Sequence, residues 1–321
     1  MHCVPVMLLF VCGIGVAPAA AAEEVRNVVI VIMGGVRRGD TIDHPHRLYI
    51  DQFWNHVRPH GTLVTDVRNL GQTFPIPSQA ALLTGRWMTF DPPERSSAPP
   101  AFPTLFEYWR GARGQPETGC VYVVGKPRLG ILAHSTHAAY GAPLAPTLIA
   151  HTPEPTVHEN VVYERFVAWF TEHKPSLVVL ALGSGEPIGQ HAREEECVTA
   201  PQVDACGGEA SLNMYFESII LMDSIILDLW HRVQEDAAYR DSTLFVVTGD
   251  HGRHSRDYSS YGDQCPGCSR TFMFFAGPGV RRNTVSRRRR TLIDLCPTVG
   301  FAAGVATPHA QGAVMHELFG K

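Results

Sequence analysis

The stretch Thr243-Leu-Phe-Val-Val-Thr-Gly-Asp-His-Gly-Arg253 sets a carboxylate and an imidazole, Asp250 and His251, directly after a run suited to a buried strand. Asp plus His is a ligand pair suited to Zn²⁺ or a similar divalent ion. Open α/β sheets hold their ligands at the carboxyl ends of strands, which is where this pair falls. Other residues of useful type lie elsewhere. Glu186 and His191 follow the apolar run Leu177–Leu182, and His254 lies just past the Asp-His pair. Thr73 and Ser78 offer hydroxyls ahead of a helical stretch, either as nucleophiles or as helix caps and backbone partners. Arg37 and Arg38 follow a Gly34-Gly35 turn and could recognise an anionic group without any metal. Cys265-Pro-Gly-Cys268 reads as a tight disulfide, a redox pair, half of a zinc site or an incidental loop. The sequence shows no second CxxC to complete a Cys₄ site.

The elements that must position these residues alternate along the chain. Asn27–Met33 is a continuous apolar, β-branched run that reads as a central parallel strand. Gly61–Val67, Cys120–Val124, Leu177–Leu182, Thr243–Thr248 and Thr271–Ala276 read as further strands. Helices are expected over Leu48–Val57, Ser78–Thr84, Thr104–Arg110, Val157–Glu172, Leu212–Gln234 and Leu292–Ala303. Ser78 is expected to cap the second of them. In the long helix, Ile219, Met222, Ile226, Leu229 and Val233 recur at spacings of three and four. Strands alternating with helices predict a three-layer α/β/α fold around a mainly parallel, doubly wound sheet. Residues 91–101 and 141–156 read as Pro-rich loops.

The 321 residues, 45% apolar and 18% charged, are ordinary for a globular chain with a sizeable core. A net charge of −4 gives no reason to expect nucleic acid as a partner. Residues 1–22 read as an export signal, with an apolar run from Val4 to Val16 and small residues from Ala17 to Ala22. That run is too short for a comfortable membrane span. A single domain over residues 23–321 is expected, in the periplasm or outside the cell. Beyond the signal, Cys120, Cys197, Cys206, Cys265, Cys268 and Cys296 remain, an even number that suits disulfides in an exported protein. The tetrad Arg287–Arg290 reads as a solvated loop or as a site for an anionic surface.

The order of these motifs resembles the alkaline phosphatase superfamily, in its sulfatase and phosphodiesterase branches. The likeness rests on Asn27–Arg37, on Thr73-Phe-Pro-Ile-Pro-Ser-Gln-Ala-Ala-Leu-Leu-Thr-Gly-Arg86 and on Tyr239–Thr243. It rests further on Thr248-Gly-Asp-His-Gly252, Ala276–Val280 and Asp294–Val299. The resemblance implies an alkaline-phosphatase-like fold and two metal ions clamping a phosphoryl or sulfuryl group attacked by Thr, Ser or a modified Cys.

Carried over residue by residue, the resemblance implies Asp250, His251 and His191 as surviving ligands. An Asp-Gly pair expected after the first strand is Gly34-Gly35, with Asp40 the nearest carboxylate. The nucleophile position, nine residues before Thr84, is Pro75. Thr73 and Ser78 are the nearby hydroxyls. The Asp expected four residues before His191 is Pro187, with Glu186 beside it. The last histidine is replaced by Tyr261, and His254 is the nearest substitute.

Two readings follow. In the first, the chain keeps the hydrolase fold, has lost two-metal ester hydrolysis, and binds a small anionic ligand or a protein partner. In the second, it is an active phosphoesterase or sulfatase-like hydrolase with a rebuilt site. That site would hold one divalent ion, zinc by donor type, on Asp250, His251 and His191 with Glu186 and His254, and use Thr73 or a metal-bound water as nucleophile.

Overall fold

In strand β1 (Asn27–Met33), Val28, Ile30 and Ile32 point into one apolar core, and Val29, Val31 and Met33 into another. This alternation follows from the two-residue period of a strand, and it requires helices on both faces. The computed structural model describes residues 24–150, 159–183, 208–254 and 260–320. The strands are β2 (Gly61–Arg68), β3 (Cys120–Val124), β4 (Thr147–Ala150), β5 (Leu177–Leu182), β6 (Thr243–Gly249), β7 (Arg270–Ala276), β8 (Thr284–Ser286) and β9 (Arg290–Thr291). They form one sheet in the order β4-β3-β5-β1-β6-β7-β2-β8, with β9 also paired to β2. All pairs are parallel except those of β7, which runs antiparallel to β6 and β2.

Helices α1 (Pro75–Thr84), α2 (Leu105–Arg113) and α6 (Leu295–Ala303) cover one face. Helices α3 (Glu159–His173) and α4 (Gly208–Glu235) cover the other, with Phe166, Ile219, Met222, Ile226 and Val233 against Val29 and Val31. The expected three-layer α/β/α architecture is therefore present, and the spacing of apolar residues in α4 marks the face it buries.

Several local expectations shift. Helix α1 begins at Pro75 with Phe74 as its N-cap, so Ser78 lies inside the first turn instead of capping it. Proline fits at the first helical position because its missing N–H has no intrahelical partner there. Gly85 ends α1 in the left-handed region at φ 69°, and a Cβ there would sit 2.6 Å from the Ala310 side chain. The helix expected from Leu48 begins only at Asp51, as a π turn over Phe53–Val57 passing into a 3₁₀ turn at Arg58–His60. Asp223 on α4 accepts the backbone N–H groups of Gln52 and Phe53 at 2.8 Å each, anchoring that turn from across the layer. Residues 147–150, taken as loop, form edge strand β4. Of the arginine tetrad, Arg290 lies in β9 and pairs with Glu317, while Arg289 reaches Asp66. The expected signal, residues 1–22, lies outside the described residues, and no helix among those described is long and apolar enough to cross a membrane.

Candidate functional site

Parallel registry brings three strand ends level. Met33 of β1 faces Leu182 of β5 and Gly249 of β6. Gly34, Gly183 and Asp250 therefore emerge side by side at one edge of the sheet. The Gly34 N–H donates to Leu182 O at 2.7 Å. A Cβ at position 34 would stand 2.6 Å from that same oxygen and 3.5 Å from Asp250 Oδ2. Position 34 therefore admits only glycine unless the β1 and β5 ends move apart.

Asp250 is fully buried and its oxygens are taken up by protein donors. Oδ1 accepts the N–H of Gly35 at 3.0 Å and of His251 at 2.6 Å. Oδ2 accepts the Gln79 amide at 3.0 Å, and Gln79 Oε1 in turn accepts the Tyr122 hydroxyl at 3.2 Å. All ten residues of α1 are buried, so its three polar side chains, Ser78, Gln79 and Thr84, must find partners inside the protein.

His251 is likewise fully buried, and burial holds its imidazole pKa below the usual value, so the ring is neutral at pH 7. Its Nδ1 pairs with Gly252 O at 2.9 Å, which requires the proton on that nitrogen. Nε2 lies 3.9 Å from Asp250 Oδ1. The Tyr261 ring packs against His251 at 4.8 Å between centroids. Burial raises the Tyr261 phenol to about 12, so it stays protonated and makes a poor ligand. Arg253, also buried, donates from Nε to Gly35 O at 3.0 Å.

The candidate nucleophiles face inward. Thr73 is buried and its hydroxyl donates to Asp263 O at 2.8 Å. Ser78 Oγ donates to Gln72 O at 3.2 Å and accepts the Asn69 amide at 2.8 Å. Both hydroxyls serve the backbone and its neighbours. Asp40 holds Arg37 through two bonds, at 2.7 and 2.9 Å, and accepts the Tyr215 hydroxyl at 3.0 Å, so its carboxylate is already engaged. Arg38 is paired with Asp43 at 2.8 Å. Both arginines border a cavity of about 370 Å³ together with Asp40, Asp43 and Arg270.

His254 does not join Asp250 and His251. Its Nδ1 lies 3.3 Å from Asp263 Oδ1, 3.4 Å from Cys265 Sγ and 3.5 Å from Cys268 Sγ. Those four residues form the single convergent group of three or more metal-binding side chains among the described residues. His191 and Glu186 lie outside the described residues, as do Cys197 and Cys206. Cys120, Cys265, Cys268 and Cys296 are all unpaired thiols, so the even cysteine count does not resolve into disulfides among the described residues. Gln79, Asn69, Tyr122 and Arg253 were not singled out by sequence. A glutamine within a short, mostly apolar helix was the available signal.

Sheet order, flanking helices and an Asp-His pair at the β6 end define an alkaline-phosphatase-like α/β fold. Solved structures agree. A phosphonate monoester hydrolase from Silicibacter pomeroyi is 14% identical, with a TM-score of 0.66 over 91% of this chain and 76% of that one. A putative sulfatase from Bacteroides thetaiotaomicron is 16% identical, with a TM-score of 0.63 over 91% and 74%. An alkaline phosphatase superfamily protein from Vibrio parahaemolyticus is 14% identical, with a TM-score of 0.59 over 91% and 70%. No curated protein matches the sequence. Residues 26–305 match the Sulfatase family, and the chain belongs to that family.

Proposed function

We propose that this sulfatase-family chain has given up two-metal ester hydrolysis and serves as an exported binding protein for an anionic ligand. The observation that carries the reading is the satisfaction of Asp250 by three protein donors, Gly35 N–H, His251 N–H and the Gln79 amide. Charge-assisted bonds of this kind stabilise a buried carboxylate in place and occupy most of its acceptor sites. Gly34 adds to this, since no carboxylate fits at the end of β1 without parting it from β5. Pro75 stands where the nucleophile belongs, and Thr73 and Ser78 are engaged elsewhere. The described residues therefore do not fit a two-metal centre, and no reaction step is assigned to one.

The anionic preference is supported by the cavity beside the old site, where Arg37, Arg38 and Arg270 outnumber Asp40 and Asp43. The apolar run and small residues of 1–22 support export.

The test compares the mature wild-type chain with an Asp250→Asn, His251→Gln variant, measuring metal content and turnover of phosphate monoesters, phosphate diesters and sulfate esters. Equal metal content and no turnover in either protein is the expected result. Metal or turnover present in wild type and lost in the variant would overturn the proposal in favour of a rebuilt hydrolytic site. Oxyanion binding, read by calorimetry with sulfate and phosphate, should weaken in Arg270→Ala.

A further inference from the structure

The antiparallel pairing of β6 with β7 sets Phe245 opposite Ala276 and Thr248 opposite Met273. It continues past the strand ends, where the Gly252 N–H donates to Cys268 O at 2.8 Å. A Cβ on Gly252 would lie 2.0 Å from Gly267 O, so this approach requires glycine. Two residues later the chain delivers His254 over a short helix, α5 (Pro266–Ser269). Cys265 is the N-cap of that helix, and the N–H groups of Cys268 and Ser269 both bond to its carbonyl, at 3.1 and 2.9 Å. The Cys-Pro-Gly-Cys turn thereby presents both sulfurs to one side. Asp263 enters through Gly262, held at φ 118° beneath the Phe74 ring. Its Oδ1 also accepts the Cys265 N–H at 2.9 Å.

The four donor atoms all lie within 4.8 Å of one another. Zinc bonds of about 2.3 Å to sulfur and about 2.0–2.1 Å to nitrogen and oxygen, arranged tetrahedrally, put nitrogen about 3.5 Å from each sulfur and about 3.3 Å from the oxygen. The observed separations from His254 Nδ1 are 3.4 and 3.5 Å to the sulfurs and 3.3 Å to Asp263 Oδ1. Both thiols also bond to the Asp263 carboxylate, but the His254 nitrogen cannot bond all three of its neighbours at once. An imidazole nitrogen has one proton or one lone pair, so it can serve one of three partners lying in different directions. A shared cation serves all three.

We propose that His254, Asp263, Cys265 and Cys268 form a closed, structural zinc site, distinct from the strand-end pair Asp250-His251. Two thiolates and an imidazole select zinc over magnesium or calcium, which prefer oxygen. Four protein ligands leave no open position for substrate, which is the mark of a structural rather than catalytic ion. The ion ties the segment after β6 to α5 and, through the Thr73 bond to Asp263 O, to the loop ahead of α1. It thereby holds Tyr261 against His251.

The test uses the full mature chain purified under reducing conditions without chelator. About one zinc per chain is expected by elemental analysis, retained in the Asp250→Asn, His251→Gln variant and reduced to below about a tenth in Cys265→Ser, Cys268→Ser. If the double cysteine variant does not fold, cobalt exchanged into wild type provides the second measurement. Tetrahedral d–d bands with thiolate charge transfer, altered by Asp263→Asn, would support the site. A Cys265–Cys268 disulfide in that reduced preparation, octahedral cobalt, or zinc retained by the cysteine variant would overturn it. Because zinc here would survive loss of Asp250 and His251, its failure is distinguishable from failure of the proposed function.

Discussion

If Asp250 is a structural acceptor, then Asp250→Asn and Asp250→Ala should differ sharply. Alanine removes the partner of three buried donors, the N–H groups of Gly35 and His251 and the Gln79 amide. Each stranded donor costs about 1–3 kcal/mol, so the expected loss is roughly 3–6 kcal/mol after local relaxation. Asparagine keeps an oxygen for Gly35 and His251. Its amide then faces the Gln79 amide, which can turn over, accepting from Asn at position 250 through Oε1 and donating to the Tyr122 oxygen. Only the Tyr122 hydroxyl proton loses its acceptor, a cost of about 1–2 kcal/mol, partly offset because no carboxylate is left buried. Urea unfolding of the mature chain, followed by tryptophan fluorescence at neutral pH, reads both values. Added zinc should stabilise wild type and Asp250→Asn equally. Equal losses for the two variants, or metal stabilisation confined to wild type, would refute the reasoning and return Asp250 to the role of ligand.

Placing a carboxylate at the end of β1 by Gly34→Asp should destabilise the protein by about 2–4 kcal/mol, since the new Cβ meets Leu182 O at 2.6 Å and the new charge faces Asp250. An unchanged urea midpoint would show that the β1 and β5 ends are not locked together. Asp223, only 3% exposed, has its carboxyl raised by burial from 3.8 to about 6. A raised carboxyl pKa favours the folded state while protonated, so this contribution is present below pH 3.8 and is lost as pH rises through about 6. Wild type should therefore lose about 3 kcal/mol relative to Asp223→Asn between those limits, and parallel stability–pH curves for the two proteins would contradict it.

Much of the scaffold was legible in the residue pattern. Continuous β-branched runs such as Asn27–Met33 bury both faces, and the three-and-four spacing of Ile219, Met222 and Ile226 picks out one face of α4. Both signals are local. The edge strands β4, β8 and β9 gave none, because they are short and partly exposed. Gly34 and Pro75 could be read as substitutions by resemblance alone. What surrounds them depends on tertiary structure, since only the parallel registry of β5, β1 and β6 shows that the strand ends leave no room for a side chain at Gly34 and that Gln79 bonds Asp250. The same holds for His254. Sequence placed it nearest Asp250-His251 and left the CxxC without a second half. The antiparallel return of β7 beside β6, carried on through Gly252 and Cys268, turns the histidine toward the sulfurs instead. Residue types fix which donors are available, but the convergence of donors around a point is set by strand register and chain reversal, which no local pattern encodes.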